Sequence, residues 1–275
     1  MHNIRRLDLN IAYACNLACK GCLSLSDFDR KGVMPYDDIV ESIDTWKSKL
    51  YPEVTSIFGG EPLLHPRIYD VFDYVKQAWP DTTIRLITNG YLLSKAKIDK
   101  FFKNTPFEMQ VSVHRKDHEK IINDNIKRVL KQYSDWKIIK VDEDGVGVAH
   151  VYVWQRPGFK IWKSKFGEFV IPYNYEGNQL VPFKSNPAKA HAICGNPNVP
   201  ILYKNKLFKC APIANLLDLP NTKGYKYQPT NSFDDIDKFV SLIGKPESIC
   251  SMCPESRSHA IDHYAKGEVH VKHLD

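Results

Sequence analysis

The run Leu7-Asp8-Leu9-Asn10-Ile11-Ala12-Tyr13-Ala14-Cys15-Asn16-Leu17-Ala18-Cys19-Lys20-Gly21-Cys22 opens as a strand and closes as a loop carrying three thiols. Over Leu7–Tyr13 apolar and polar residues alternate, the period of a half-buried strand. Cys15, Cys19 and Cys22 follow in the spacing C-x3-C-x2-C. Three thiolates are one short of a closed structural zinc site. They match a cubane iron–sulfur cluster with one iron left open. A zinc site completed by a distant fourth ligand is the alternative. An open coordination position belongs to a reactive centre, so the loop predicts an enzyme.

Outward from this loop, short apolar runs alternate with helical periods. Tyr36–Leu50 has helical spacing through Ile39, Ile43, Trp46 and Leu50, with Pro35 placed for a first turn. Glu53–Phe58 reads as a strand, Arg67–Trp79 as a helix and Thr82–Thr88 as a strand. Ser94–Phe102 reads as a short helix with a serine N-cap. Phe107–Val113 is a further strand, Asp117–Tyr133 a helix, and Trp136–Val141 and Val146–Trp154 two more strands. Lys160–Phe169 fits neither period. Such βα alternation predicts an α/β fold with parallel strands, as an open sheet or a barrel. Around Pro172–Pro187 the pattern breaks into Asn, Pro, Gly and Lys, where a domain boundary is expected.

The chain has 275 residues, 43% of them hydrophobic, enough for a sizeable core. No stretch has the apolar length of a membrane span. The first residues lack the apolar core of a signal peptide, and a cytoplasmic location is expected. The net charge of +6 is spread along the chain, and the basic runs Lys95–Lys103 and Lys137–Lys140 read first as solvated faces. A basic mouth for an anionic substrate remains open. Seven cysteines suit metal ligation better than a disulfide framework. They divide into three at the front and Cys194, Cys210, Cys250 and Cys253 at the back.

Each early strand ends in a polar or glycine-rich segment: the cysteine loop, then Gly59-Gly60-Glu61-Pro62, then Thr88-Asn89-Gly90, then Ser112-Val113-His114. In βα-barrels the loops after the strands build the site on one face. Taken singly, Gly59-Gly60 and Asn89-Gly90 are ordinary turn pairs, and Ser112 with His114 fits a solvated edge.

Together, the cysteine triplet after the first strand and Gly-Gly-Glu after the second resemble the radical S-adenosylmethionine superfamily, over about residues 5–155. The resemblance implies a partial (β/α)6, TIM-like barrel and a [4Fe-4S] cluster held by Cys15, Cys19 and Cys22. It further implies S-adenosylmethionine chelated to the open iron and cleaved by one electron to a 5′-deoxyadenosyl radical. Gly59 and Gly60 would let backbone approach the methionine moiety, Glu61 would help orient its amino group, and Asn89 and Ser112 would contact carboxylate or ribose. Two departures stand out. Gly21 replaces the aromatic residue common before the third cysteine, leaving Tyr13 or Leu23 to neighbour the adenine. His114 replaces an acid seen after the fourth strand in peptide-modifying members.

At the back, Cys194 is followed by an expected hairpin over Ile201–Phe208, turning at Lys204–Lys206. Cys210, the pair Cys250-x2-Cys253 and an expected helix over Ser256–Lys266 come next. Taken alone, the four cysteines suit a zinc ribbon equally well. The order resembles a twitch domain, the short SPASM-like extension of the same superfamily, and implies a second, closed [4Fe-4S] cluster for electron transfer. The expected division is residues 1–185, barrel; 186–256, auxiliary-cluster domain; 257–275, helix and tail. Asp142, Glu143, Asp144 and Arg156 are weaker polar candidates, and His150 and His191 read as structural.

The implied activity is an oxidoreductase abstracting hydrogen from a small polar, sugar-like substrate, with an external one-electron reductant such as flavodoxin or ferredoxin. Peptide modification is the runner-up, without a recognisable peptide-binding wing. A non-catalytic zinc module on nucleic acid is the other class; nucleic acid is not the expected partner. No catalytic base is identifiable.

Overall fold

The computed structural model describes residues 1–141, 150–165, 168–262 and 269–271. One sheet of nine strands carries the architecture. Its members are β1 (His2–Ala12), β2 (Leu50–Gly59), β3 (Thr83–Thr88), β4 (Phe107–Val113), β5 (Lys137–Val141), β6 (His150–Arg156), β7 (Phe159–Lys165), β8 (Ile201–Tyr203) and β9 (Lys206–Phe208). Their spatial order is β9-β8-β1-β2-β3-β4-β7-β6-β5. From β8 through β7 every neighbouring pair is parallel.

Helices α1 (Tyr36–Trp46), α2 (Ile68–Ala78), α3 (Ile98–Phe101) and α4 (Glu119–Leu130) make the crossovers. The crossover helix α2 buries Ile68, Val71, Phe72 and Val75, and full burial of such side chains contributes roughly 1.5–3 kcal/mol each. Against them stand Ile57, Ile84 and Leu86, the outward-pointing residues of β2 and β3. The α/β class and the first four strands follow the sequence pattern.

Two expectations change. The strands at Lys137–Val141 and His150–Arg156 do not continue the parallel series: β5 pairs antiparallel with β6, and β6 antiparallel with β7. The next parallel strand is β7, from the segment the periodicity left unassigned. Its outward Lys163 is 2% exposed, with Nζ donating to Glu119 at 2.7 Å and Asn123 at 3.0 Å. A paired lysine therefore stands where the pattern wants an apolar residue. The helix expected over Ser94–Phe102 shrinks to α3, with Ser94 inside a preceding 3-10 turn.

The back of the chain re-enters the same sheet. β8 and β9 form the expected hairpin, its turn residues Lys204 and Asn205 both at positive φ, as two-residue hairpin turns require. β8 lies parallel beside β1, Asp8 opposite Ile201. Helix α5 (Pro187–Ala192) precedes Cys194, α6 (Ala211–Leu216) follows Cys210, and α7 (Ile236–Leu242) precedes Cys250. The helix expected over Ser256–Lys266 is not found in its described part. Residues Ala260–Asp262 pair antiparallel with Glu168–Val170 instead; serine and histidine at 256, 258 and 259 are weak helix formers, and the strand edge takes the backbone. Among the described residues no helix is long and apolar enough to cross a membrane.

Candidate active site

At the C-terminal ends of the parallel strands lies a cavity of about 560 Å³. Cys15, Cys19, Cys22, Gly59, Gly60, Asn89 and Ser112 all line it. So do Cys194, Cys210, Cys250 and Cys253 from the other side. The front and rear thiols therefore share one chamber.

The cysteine loop is held from three directions. Gly60 N and Glu61 N donate to Ala12 O and Ala14 O at 2.7 and 2.9 Å, fastening the end of β2 across the loop. A Cβ on Gly60 would stand 2.1 Å from Ala14 O, so only glycine allows the approach. Asn89, after β3, donates from Nδ2 to Asn16 Oδ1 at 2.7 Å and to Cys15 Sγ at 3.6 Å. From the rear, the fully buried Asn215 of α6 donates to Leu23 O at 3.1 Å and accepts from Asn10 and Arg30.

Burial pushes the Cys15 thiol up to about 12, and Glu61 and Cys22 add to it. Cys19 is raised by burial and then by Cys22 and Cys15. Cys210 is raised to about 12 by burial, with smaller contributions from Cys194 and Cys250. Cys253 is raised by burial, then by Cys210, Cys194 and Cys250. The thiol–thiol effects stay within the front set and within the rear set. Thiols so far above neutrality are poor nucleophiles; a metal would hold them as thiolates. Among the described residues no group of three or more His, Cys, Asp or Glu converges on a single ion. The donor chemistry fits a wider cluster: soft thiols on one short loop facing a chamber.

Glu61 is placed differently from expectation. It does not line the cavity and is 0% exposed. Its oxygens accept from Leu63 N (3.0 Å), Thr88 Oγ1 (2.8 Å) and Asn89 N (2.9 Å). It locks the Asn89 turn, acting through that residue. Burial raises its pKa from 4.5 to about 7, against those three hydrogen bonds. Between these values the folded state holds a proton that the unfolded state has lost. Stability therefore falls as pH rises from about 4.5 to about 7, by up to about 3 kcal/mol. Glu61→Gln is expected to flatten that slope in thermal melts taken across pH 4.5–8; an unaltered slope would show that Glu61 does not titrate there.

Of the two candidates for adenine's neighbour, Leu23 lines the cavity, whereas Tyr13 packs on Tyr203 and beneath Arg30. Arg156 is not on the rim: it pairs with Asp135 at 2.8 Å and lies 3.7 Å from the Tyr133 ring centroid. Asp142, Glu143 and Asp144 lie outside the described residues. His114 and His191 both line the chamber. Their place, and that of Asn215 and Arg30, had no signal beyond residue type.

Residues 9–141 match the Radical SAM superfamily. The chain is similar to the cofactor-modifying protein of a tungsten-containing aldehyde ferredoxin oxidoreductase from Pyrococcus furiosus, 35% identical over 94 residues, 33% of this chain and 25% of that protein. It is also similar to a GTP 3′,8-cyclase from Aliarcobacter butzleri, 35% identical over 96 residues, 32% of this chain and 28% of that one. The chain thus spans about a quarter of the length of these curated relatives. A crystal structure of BtrN in complex with AdoMet and 2-DOIA superimposes with a TM-score of 0.55 at 13% identity, covering 93% of this chain and 96% of that one. At that identity the likeness is one of fold. The front thiols, Gly59, Gly60, Asn89 and Ser112 all fall inside the segment, residues 9–141, that matches the Radical SAM superfamily model.

Proposed function

We propose that this protein is a radical S-adenosylmethionine enzyme acting on a small polar substrate, with the sheet serving as a partial barrel. The observation that carries this reading is the single chamber walled by three thiols, the Gly59–Gly60 turn, Asn89 and Ser112, each at the end of a different parallel strand. Cys15, Cys19 and Cys22 would hold a [4Fe-4S] cluster. When bound, that cluster and S-adenosylmethionine supply a 5′-deoxyadenosyl radical, given one electron from a flavodoxin- or ferredoxin-type donor.

The chain's own part is positioning and exclusion. Gly59 and Gly60 present bare backbone at the rim, and Asn89 fixes the thiol loop. Ser112, 5% exposed, offers a hydroxyl to a ligand at the same level. The rear wall covers one side of the chamber, which would limit water around a reactive intermediate. Residues 186–256 would form the auxiliary unit. Its four thiols would hold a second, closed cluster, which would supply a one-electron acceptor and so suits an oxidation.

Anaerobic reconstitution with iron and sulfide, then dithionite and S-adenosylmethionine, tests the core of this reading. The protein is expected to be brown and to release 5′-deoxyadenosine slowly without substrate; a colourless protein holding zinc would overturn it. Cys250→Ala with Cys253→Ala is expected to keep that release while losing substrate turnover at least tenfold. Unfolding is monitored first, because a closed metal site also stabilises a small unit. A folded double variant that keeps its front cluster yet makes no 5′-deoxyadenosine would tie cofactor cleavage to both sets.

A further inference from the structure

The register of the sheet brings one row of inward side chains together well below the thiols. Asp8, Ser56, Arg85, Glu108 and Lys160 stand side by side on β1, β2, β3, β4 and β7. Arg6 reaches into the row, with Nε donating to Asp8 at 2.7 Å and to Ser56 at 2.9 Å. Three cations thus meet two carboxylates, leaving one positive charge in excess. Arg6, Arg85 and Lys160 line the chamber, as does Asp8, whereas Glu108 stands behind Arg85 and Lys160.

The cations keep donors in reserve. Arg85 spends Nε and Nη2 on a single Glu108 oxygen, at 2.9 and 2.7 Å, and Arg6 spends Nε and Nη2 on Asp8 and Ser56. Nη1 of both arginines has no hydrogen-bond partner among the described residues. Lys160 Nζ is 3.6 Å from Glu108, an ion pair but too long for a hydrogen bond. Arg85 and Lys160 each stand 4.9 Å from the ring centroid of Trp162, which holds both cations against the chamber wall.

These charges do not serve the rear thiols. Lys209 already stands beside Cys210, in a 2.9 Å ion pair with Glu247. Nor do they serve the front loop. Arg85 is four strand residues below Asn89, roughly 13 Å along β3. Partly buried guanidinium groups and the half-exposed Lys160 ammonium, lining the chamber with free donors, match a planar or tetrahedral oxyanion.

We infer that Arg6, Arg85 and Lys160 form an oxyanion subsite on the chamber floor, which takes a phosphate or carboxylate group of the substrate. The inference rests on the chamber being the substrate site. It gives the substrate a length: the anionic group at the floor, and the reacting carbon roughly 13 Å away at the level of Ser112 and the thiol loop.

The full-length protein is titrated by calorimetry with inorganic phosphate and, separately, with acetate. Binding of at least one of them in the millimolar range is expected. Arg85→Gln with Lys160→Gln should weaken it at least tenfold, Arg85→Lys less than threefold, and the outward Arg156→Gln not at all. Equal melting temperatures and iron contents establish that the variants are folded. Binding of neither probe by the wild type overturns the subsite, as does equal binding by the double variant. The preferred probe tells phosphate from carboxylate. The two readings fail separately. Loss of the subsite would leave 5′-deoxyadenosine release intact, and a wild type without iron or cofactor cleavage would still bind the anion.

Discussion

Changing Cys15, Cys19 and Cys22 together to alanine is expected to halve the iron and sulfide of the reconstituted protein and to abolish 5′-deoxyadenosine release. The expectation rests on the separation of the two thiol groups. Besides burial, Cys22 raises the Cys15 and Cys19 thiols and Cys15 raises Cys19, whereas Cys194, Cys210 and Cys253 are raised only by other rear thiols. Only the front set has three members, so of two such clusters only the front one would leave an iron free for a chelating ligand. The substitutions remove sulfur from a loop whose shape is fixed by backbone and asparagine hydrogen bonds, and the fold should survive. Retention of all iron, or of cofactor cleavage, in the folded triple variant would sink the assignment.

Gly60→Ala should be among the most damaging single changes outside the thiols. The added methyl would lie 2.1 Å from Ala14 O, 2.7 Å from Ala14 C and 2.9 Å from Tyr13 O. All three are backbone atoms, which cannot swing aside as a side chain does. Ala14 precedes Cys15, so relief of the clash moves the loop that carries the thiols. A loss of roughly 3 kcal/mol or more is expected, a fall of about 6–12 °C in Tm, with weakened S-adenosylmethionine binding. Gly195→Ala, beside Cys194, is the control: its methyl meets nothing within 4 Å, and its melting temperature should stay near the wild-type value. A Gly60→Ala variant melting like wild type, with normal cofactor affinity, would remove the close approach from the argument.

The first four strands and helices α1, α2 and α4 were legible because these helices bury one clean stripe and the strands alternate. Legibility failed where charge entered the pattern. Lys160, Lys163 and Lys165 hid β7, since Lys163 is buried against Glu119 and Asn123 rather than solvated. Arg6, Asp8, Arg85 and Glu108 alternate with core residues as solvent-facing side chains would. Only the chamber on that face of the sheet makes the polar face an inward one. Glu61 was legible as part of a motif but not in its role. The sequence placed it beside the glycines, and the fold turned its carboxylate away from the chamber onto the Asn89 turn. The partition of the cysteines into three and four needed only counting and spacing. That the two sets face the same chamber depends on β8 returning to the edge of β1, a pairing across some 190 residues for which no local pattern speaks.

That return also sets a schedule for synthesis. β1 is made first, yet its outer edge finds its partner only when Ile201–Tyr203 appears. At 5–20 residues per second, the nascent chain waits roughly 10–40 s with a row of amide and carbonyl groups bare, a ready template for pairing with another chain. The residues that complete the sheet are also those that bring Cys194 and Cys210 to it. An unfinished chain therefore has an open edge and an incomplete rear set of thiols at the same time, and closing the edge is what ends both conditions.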